Sequence, residues 1–304
     1  MLSPLRARAM RRAFVVLAVV ALGACGPTAS PFPSRSEAPI AVLGAENFYA
    51  DLLTQIGGSR VTASSILNDP SADPHEYEAN PATAKLVADS KIVIVNGIGY
   101  DDFMDKLLGA ATRPDRVVIN VQDILGVKDD VNVHVWYDPA TMPKVADAAT
   151  EALSKLDPQN AAYFAAQKAK YLTGLKAISD KVGALKTKYA GSPVAFTENV
   201  AGYLTDAIGL KVLTPPAFME AIESGTDPAP ADVAAERDLI TGRKVKVLLY
   251  NSQVTSPLTQ QIHDLADRSG VPIVGVAETI PPAFKTFQEW QFAQLTELEK
   301  ALAR

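Results

Sequence analysis

Short runs of branched apolar residues alternate with amphipathic stretches along the first part of the chain. The continuous run Ile92–Val95 is typical of a strand buried on both faces of a parallel sheet. The same pattern predicts strands at 39–43, 61–67, 92–95 and 117–119 and helices at 46–56, 81–89 and 101–111. This succession predicts parallel strands with right-handed crossovers.

Residues 158–189 follow a different pattern, that of one long amphipathic helix. Its apolar positions recur largely at intervals of three and four: Tyr163, Phe164, Leu172, Leu175, Ile178, Val182 and Leu185. At 1.5 Å per residue such a helix is roughly 45 Å long, which is longer than a small domain is wide. We therefore predict a rigid spine between two lobes.

The strand–helix pattern then restarts and continues to the C-terminus. It predicts strands at 194–196, 210–213, 245–249 and 271–276 and helices at 199–208, 228–241, 255–269 and 282–303. The fold class is therefore α/β, with two Rossmann-like lobes of parallel sheet joined by the spine. We assign residues 39–156 to the first lobe, 157–190 to the linking helix and 191–304 to the second lobe.

The first thirty residues have the pattern of an export signal. Basic residues precede a short apolar run that is below the roughly 18 residues a membrane-spanning helix needs, and small residues then lead to Cys25. The segment LGAC at 22–25 looks like a bacterial lipobox, and an ordinary signal peptide with a chance cysteine is the alternative. We predict a signal peptide at 1–24, a lipid on Cys25 and a flexible tether at 25–38.

Composition and charge narrow the class of protein. A hydrophobic share of 48% and a charged share of 21% are typical of a folded soluble body. The net charge of −5 argues against nucleic acid as a partner, because phosphate binding needs a basic face. Cys25 is the single cysteine, which excludes an intrachain disulfide and a site with several thiolates.

Four polar residues follow predicted strands or strand-like runs. His75 lies in a loop rich in Asp and Pro, His134 follows the run VNV, and Glu198 and Glu278 come after strands of the second half. In open parallel sheets, ligands bind beyond the carboxyl ends of the strands, so these residues can converge on the cleft between the lobes. Two imidazoles and two carboxylates suit a divalent transition metal.

Each of these residues also has an ordinary structural explanation. A loop histidine is more often a cap or a surface residue than a ligand. Glu198 would stabilise the following helix, because a negative charge near a helix N-terminus interacts favourably with the helix dipole, and Glu278 would be a solvated turn residue. His263, beside Asp264 on a predicted helix surface, is interpreted as a surface residue.

Several motifs, in order along the chain, carry a family resemblance from about residue 41 to the C-terminus. They are DPHEYE (73–78), VNGIGYDDFMDKLL (95–108), HVWYDP (134–139) opening a helix, FTENVAGYLTDAIGL (196–210), ESGTDPAPADVAAERDLI (223–240) and AETI (277–280). With these motifs and the long helix, the chain resembles the zinc, manganese and iron solute-binding lipoproteins of bacterial ABC importers, the cluster A-I family.

The resemblance implies a metal cleft between the lobes with His75, His134, Glu198 and Glu278 as ligands. Zinc-dedicated members usually place His at the position of Glu198, and the fourth ligand is usually Asp, so Glu278 adds a methylene. The chain also lacks the His-rich acidic loop and the cysteine pair of many zinc-specific relatives. The resemblance therefore implies one bound Mn, Zn or Fe ion and leaves the choice of metal open.

Each histidine ligand needs a partner for its second ring nitrogen, which fixes its tautomer. Glu76, Glu78, Asp138 and backbone carbonyls are the candidates. Because metal binds the neutral imidazole, we expect affinity to fall as the pH drops through about 6.5.

The function that these expectations describe is a receptor held outside the cytoplasmic membrane by its N-terminal lipid. We expect a monomer that has no catalytic residues and delivers metal to an ABC permease with its ATPase. A secreted metal-dependent hydrolase is the first alternative; it would need an open coordination position and a general base, and the sequence contains no HExxH motif. A metallochaperone or adhesion lipoprotein on the same scaffold is the second.

Overall fold

A computed structural model of the protein describes residues 38–69, 77, 79–128 and 130–304. The predicted signal peptide, Cys25 and tether residues 25–37 lie outside the described residues, as do His75, Glu76 and Glu78. Within the described ranges, no helix combines the length and the apolar character needed to cross a bilayer. Residues 38–304 belong to one structural unit.

The first lobe is a parallel sheet covered by helices. Its strands are β1 (Ile40–Glu46), β2 (Val61–Leu67), β3 (Ile92–Val95) and β4 (Val117–Asn120). Its helices are α1 (Asn47–Gly57), α2 (Pro81–Asp89), α3 (Phe103–Ala110), α4 (Val121–Leu125) and α5 (Thr141–Leu156). The sheet order is β2-β1-β3-β4, with Val42 opposite both Ala63 and Ile92. All four residues of β3 are buried, as its continuous apolar run predicts.

The long helix α6 (Ala161–Tyr189) follows one 3-10 turn at Pro158–Asn160. Its buried residues form a single stripe: Phe164, Tyr171, Leu175, Ile178, Val182 and Leu185. This stripe belongs to an apolar core that runs without a break from Phe48 in the first lobe to Leu298 near the C-terminus. The spine therefore joins the two lobes through shared packing as well as through the chain.

The second lobe repeats the parallel architecture. Its strands are β5 (Pro193–Phe196), β6 (Lys211–Val212), β7 (Leu248–Asn251) and β8 (Ile273–Val276). Its helices are α7 (Gly202–Ile208), α8 (Pro216–Glu223), α9 (Pro230–Thr241), α10 (Pro257–Ser269) and α11 (Phe287–Leu302). The sheet order is β6-β5-β7-β8. Strand β7 therefore lies between β5 and β8, which places its last residue between the two neighbouring strand ends.

The two sheets and the long helix confirm the predicted α/β class, and the corrections concern short helices that were not predicted and the ends of several elements. Helix α8 was not predicted; the Pro215–Pro216 pair is compatible with it, because proline fits the first turn of a helix. Helix α11 begins at Phe287 instead of 282, since the side chain of Thr286 accepts the N–H of Glu289 and caps the helix there. Helix α7 begins three residues later than predicted.

A buried carboxyl group in the second lobe makes stability depend on pH. Glu236 on α9 is fully buried beside Thr214. Burial raises its pKa from 4.5 to about 7, and the nearby polar side chain of Thr214 offsets only part of this rise. At a pH between the two pKa values, Glu236 in the folded protein therefore keeps a proton that Glu236 in the unfolded chain has lost. Stability is therefore lost as the pH rises from about 5 to about 8.

We expect Glu236→Gln to remove this loss. At pH 8 the variant should exceed the unchanged protein in free energy of unfolding by on the order of 2 kcal/mol, and at pH 5 the two should be nearly equal. Urea unfolding at both pH values measures the difference, with Glu220→Gln on the exposed face of α8 as the control. An equal difference at both pH values would contradict the assignment.

Candidate metal centre

Two strand ends of the second lobe and one loop of the first lobe meet in a buried cluster. Glu198 lies two residues after β5, Glu278 lies two residues after β8, and His134 directly precedes a 3-10 turn at Val135–Tyr137. One ligand atom of each of the three lies within 4.8 Å of the others. The carboxyl ends of parallel strands thus supply both carboxylates, as the topology predicts.

The distances within the cluster are short and its members are sealed from solvent. Nε2 of His134 lies 3.4 Å from Oε2 of Glu278 and 3.9 Å from Oε1 of Glu198. The side chains of all three residues are 0% exposed. A buried pair of carboxylates is costly without a compensating positive charge, so this arrangement suits a cation.

The side chain of Asn132 orients the imidazole of His134. Its Oδ1 lies 2.8 Å from Nδ1 of His134 and also accepts the backbone N–H of His134. Its Nδ2 donates to the carbonyl of Asn199 in the second lobe at 2.7 Å, so the amide oxygen must be the atom that faces the ring. Nδ1 therefore carries the proton, and the lone pair of the neutral ring is at Nε2, on the side of the two carboxylates.

The two carboxylates are held by Asn251 and Tyr100. Nδ2 of Asn251 donates to Oε2 of Glu198 and to Oε1 of Glu278, both at 2.7 Å. The hydroxyl of Tyr100 donates to Oε2 of Glu278 at 2.9 Å from the opposite lobe. Burial and the charge of Glu278 raise the pKa of Tyr100 well above 10, which keeps this hydroxyl a donor at neutral pH.

The charges around His134 favour its protonated form in the absence of metal. Burial lowers the pKa of His134. The hydrogen bond and charge of Glu278, followed by the charges of Glu198 and Glu223, raise this pKa by more than burial lowers it. The net pKa lies above 6.5. A metal ion that bound at His134 would have to replace this proton, since only the neutral imidazole is a ligand.

The loop after β3 carries Tyr100 into the cluster in a strained conformation. Residues 97–99 have φ angles of 72°, 61° and 78°. The middle residue is the branched Ile98, for which such an angle costs about 1–3 kcal/mol. Its N–H donates to Oε1 of Gln122 at 2.9 Å. The buried carboxylate of Asp101 accepts two further N–H groups of the same loop at 2.7 and 2.8 Å, which offsets the strain.

Glu46, the last residue of β1, is a further buried carboxyl group near this loop. Burial, and after it the charge of Asp101, raises the pKa of Glu46 well above 4.5. A carboxyl group that keeps its proton adds no charge to the cluster. The negative charge beside His134 therefore comes mainly from Glu198 and Glu278.

The remaining site predictions fall in different places. At His134, Asn132 takes the role for which Asp138 was one of several candidates, and Oδ1 of Asp138 accepts the N–H of Ala140 at the start of α5. His263 lies on α10 and makes a 3.3 Å contact with Asp264, outside the cluster. Sequence reasoning did not single out Asn132 or Asn251, and Tyr100 entered only as part of the 95–108 motif.

Known proteins share this sequence pattern and this fold. A manganese-binding lipoprotein of Halalkalibacterium halodurans is 22% identical over 270 residues, which cover 87% of each chain. The periplasmic zinc-binding protein TroA of Treponema pallidum superimposes with a TM-score of 0.73 at 20% identity, over 88% of this chain and 99% of TroA. FpvC of Pseudomonas aeruginosa, solved in complex with Mn2+, gives a TM-score of 0.71 at 20% identity, over 87% of this chain and 98% of FpvC.

The family-level comparison covers nearly the whole described part of the chain. The family described as zinc-uptake complex component A, periplasmic, matches residues 42–301. This range contains most of β1, all the other strands, the long helix and the cluster of His134, Glu198 and Glu278. The chain therefore belongs to the zinc-uptake complex component A family.

Proposed function

We propose that the chain is the extracytoplasmic substrate-binding component of an ABC importer for a divalent transition metal. His134, Glu198 and Glu278 bind the ion between the lobes, and His75 joins them from the segment between β2 and α2. The observation that carries the proposal is the convergence of one imidazole and two carboxylates, from two lobes, in a fully buried cluster. Family membership supports the same role.

The electrostatics of the cluster support capture of a cation. Glu198 and Glu278 share one buried space, and His134 carries at most a single positive charge to oppose them. A divalent ion balances both carboxylates and allows His134 to release its proton. Metal binding thus relieves a cost that the folded chain otherwise carries.

The ligand set suits several metals. Two imidazoles and two carboxylates accommodate Mn(II), Fe(II) and Zn(II), and zinc binds more tightly than manganese to most such sites. The names of the relatives include both a manganese-binding lipoprotein and a zinc-binding protein. Selectivity in this chain depends on geometry, in particular on Glu198, for which the resemblance implies a choice between Glu and His.

The proposal places the protein outside the cytoplasmic membrane, where a lipid on Cys25 anchors it. Relatives named as metal-binding or metal-transporter lipoproteins support this location. The monomer passes its ion to a permease driven by an ATPase. The lobes are residues 39–156 and 191–304, with the linking helix at 157–190.

We assign no catalytic residues. A metal-dependent hydrolase keeps one coordination position open and places a general base beside the metal-bound water. Here both carboxylates face the same imidazole nitrogen, so they serve as ligands. The family comparison favours a binding role over the hydrolase alternative.

Competitive loading tests the proposal. The purified protein is exposed to Mn, Fe and Zn together, dialysed and analysed for its metal content, with Glu198→His treated in the same way. We expect one equivalent of metal in the unchanged protein. Glu198→His should retain a larger share of zinc, because a borderline imidazole ligand replaces a hard carboxylate.

The identity of the retained metal then assigns the cargo. Manganese or iron held against limiting zinc would give Glu198 a role in selectivity. Zinc held under every condition would make the protein a zinc receptor with glutamate as third ligand. The absence of any retained metal would overturn the assignment of the ligand residues.

A further inference from the structure

We propose that the second lobe controls the orientation of His134 through one side chain, Asn132, so that contact between the lobes and the metal-binding form of His134 depend on each other. This inference rests on the proposed function, because it concerns a proposed ligand of the ion. Asn132 does not touch the ion in this scheme; it is a positioning residue that acts through His134. The residues of the second lobe that contact Asn132 are then remote determinants of metal affinity.

The side chain of Asn132 contacts both lobes at once. On the side of the first lobe, its Oδ1 lies 2.8 Å from Nδ1 of His134 and accepts the backbone N–H of the same residue at 3.0 Å. On the side of the second lobe, its Nδ2 donates to the carbonyl of Asn199 at 2.7 Å. Asn199 directly follows Glu198 in the segment between β5 and α7. A movement of this segment therefore reaches the imidazole through a single amide group.

Helix α7 also holds the backbone at the same position. The hydroxyl of Tyr203 donates to the carbonyl oxygen of Asn132 at 3.0 Å. The side chain and the backbone of Asn132 are therefore both bonded to residues 199–203 of the second lobe. Because the two hydrogen bonds end on different atoms of Asn132, they fix the direction of its amide group as well as its distance from α7.

The start of α7 leaves space for the side chain of Asn132. Gly202 is the first residue of α7, is buried and has no positive φ angle. A Cβ at this position would lie 2.9 Å from Nδ2 of Asn132, and closer still to Oδ1 of Asn199. Favourable contacts between heavy atoms lie at about 3.5–4.0 Å. Glycine is therefore needed here for the close approach of a side chain from the other lobe and not for its backbone conformation.

The carbonyl of Asn199 favours the amide orientation that metal binding needs. With Oδ1 of Asn132 toward the ring, Nδ1 of a neutral His134 carries the proton and the lone pair is at Nε2, which faces the two carboxylates. A rotated amide would offer its NH2 group to Nδ1 and would place the proton on Nε2. Contact with Asn199 disfavours that rotation, so contact between the lobes favours the form of His134 that binds metal. By linkage, an ion on Nε2 favours the same contact.

The test replaces Gly202 with alanine, which acts on Asn132 from the second lobe and leaves every residue of the first lobe unchanged. Competition between the protein and a chromophoric chelator for zinc gives the dissociation constant, and calorimetry of the metal-free protein gives Tm. We expect Gly202→Ala to weaken zinc binding by about tenfold and Asn132→Ala by about 10–100-fold, which is the range for residues that orient a metal ligand.

A double-mutant cycle separates this route from a direct effect on the segment that carries Glu198. In the Asn132→Ala background, Gly202→Ala should cost no more than about a further twofold in zinc affinity, because the side chain that it displaces is absent. An equal loss in both backgrounds would mean that the alanine acts through Asn199 and Glu198, and it would overturn the proposal. An unchanged zinc affinity of the Gly202→Ala protein would overturn it as well.

The matched control is Gly183→Ala in α6, where an added Cβ meets no other described residue within 4 Å outside its own helix backbone. This variant should bind zinc as the unchanged protein does. A merely structural role of Gly202 would lower the Tm of the metal-free protein, and its effect on zinc affinity would add to that of Asn132→Ala.

A second variant tests the proposal if Gly202→Ala does not fold. Tyr203→Phe removes the hydrogen bond to the carbonyl of Asn132 and should weaken zinc binding by about threefold to tenfold, which corresponds to the loss of one hydrogen bond. Tyr163→Phe on α6, where the hydroxyl accepts from Gln167, should leave zinc affinity unchanged. Equal affinities of the Tyr203→Phe protein and the unchanged protein would then contradict control by the second lobe.

Failure of the proposed function gives a different result from failure of this inference. If the unchanged protein retains no zinc, the proposed function fails and this inference fails with it. If the unchanged protein binds one equivalent of zinc and the folded second-lobe variant binds it equally tightly, the inference fails alone. The proposed function would then stand.

Discussion

Replacing His134 with alanine should reduce affinity for zinc and for manganese by more than about 100-fold, since even residues that only orient a ligand contribute 10–100-fold. His134 is the one described residue of the first lobe in the cluster, and its Nε2 faces both carboxylates. Without it, the remaining described members of the cluster come from one lobe only. Isothermal titration with each metal measures the loss.

The chain offers a matched control for this substitution. His263 carries the same side chain on the surface of α10, outside the cluster, and His263→Ala should leave both affinities unchanged. Because His134 is fully buried, alanine leaves a cavity and removes a hydrogen-bond partner of Asn132, which lowers stability as well. His134→Gln fills most of that space, so a folded His134→Gln protein that binds either metal with unchanged affinity would contradict ligation by His134.

Local patterns predicted the architecture because each lobe is built from repeated strand–helix units. The run Ile92–Val95 is bounded by polar residues and turn residues, and the strand occupies those four residues in the structure. Helix α6 was predicted because its apolar stripe continues for several turns. Tyr171 is the exception, since it is buried where Leu172 was expected and Leu172 is half-buried. A one-residue shift of this kind depends on packing against neighbouring helices.

The proposed ligands were easier to predict than the residues that orient them. His134, Glu198 and Glu278 each follow a strand or a strand-like run, and that position relative to the sheet is visible in the sequence. Asn132 and Asn251 are isolated asparagines in the sequence. Because asparagine is common wherever a chain turns, its presence alone does not indicate a role at a site. Asn251 gains its role only because β7 separates β5 from β8 in the sheet. Strand order is a property of the assembled fold, so no local pattern contains it.

Contacts between the lobes suggest how metal affects the whole molecule. The side chain of Asn47 on α1 exchanges two hydrogen bonds with the backbone of Ile280, at 3.1 and 2.8 Å. The hydroxyl of Tyr137 donates to the carbonyl of Ala277 at 2.7 Å. Both contacts join the first lobe to the segment that carries Glu278. An ion bound by both His134 and Glu278 would add a further contact between the two lobes, which these hydrogen bonds already connect.

Metal should therefore raise the thermal stability of the protein strongly at neutral pH. An ion that binds only the folded state, at a free concentration of 1,000 times its dissociation constant, adds about 4 kcal/mol to the free energy of unfolding. For a chain of this size this corresponds to a rise in Tm of roughly 10 °C. Differential scanning calorimetry with zinc, and then with excess chelator, measures the gain. His134→Gln should lose most of it.

The same gain should disappear on acidification, and the sign follows from the charges in the cluster. The pKa of His134 lies above 6.5 because Glu278 and Glu198 favour the imidazolium and outweigh the effect of burial. Below that pKa the ion competes with a proton, and affinity falls by up to about tenfold per pH unit for each histidine ligand. As the pH is lowered from 8, the rise in Tm caused by zinc should therefore start to decrease before pH 6.5 is reached, and it should be small at pH 5. A rise of equal size at pH 8 and pH 5 would contradict histidine ligation.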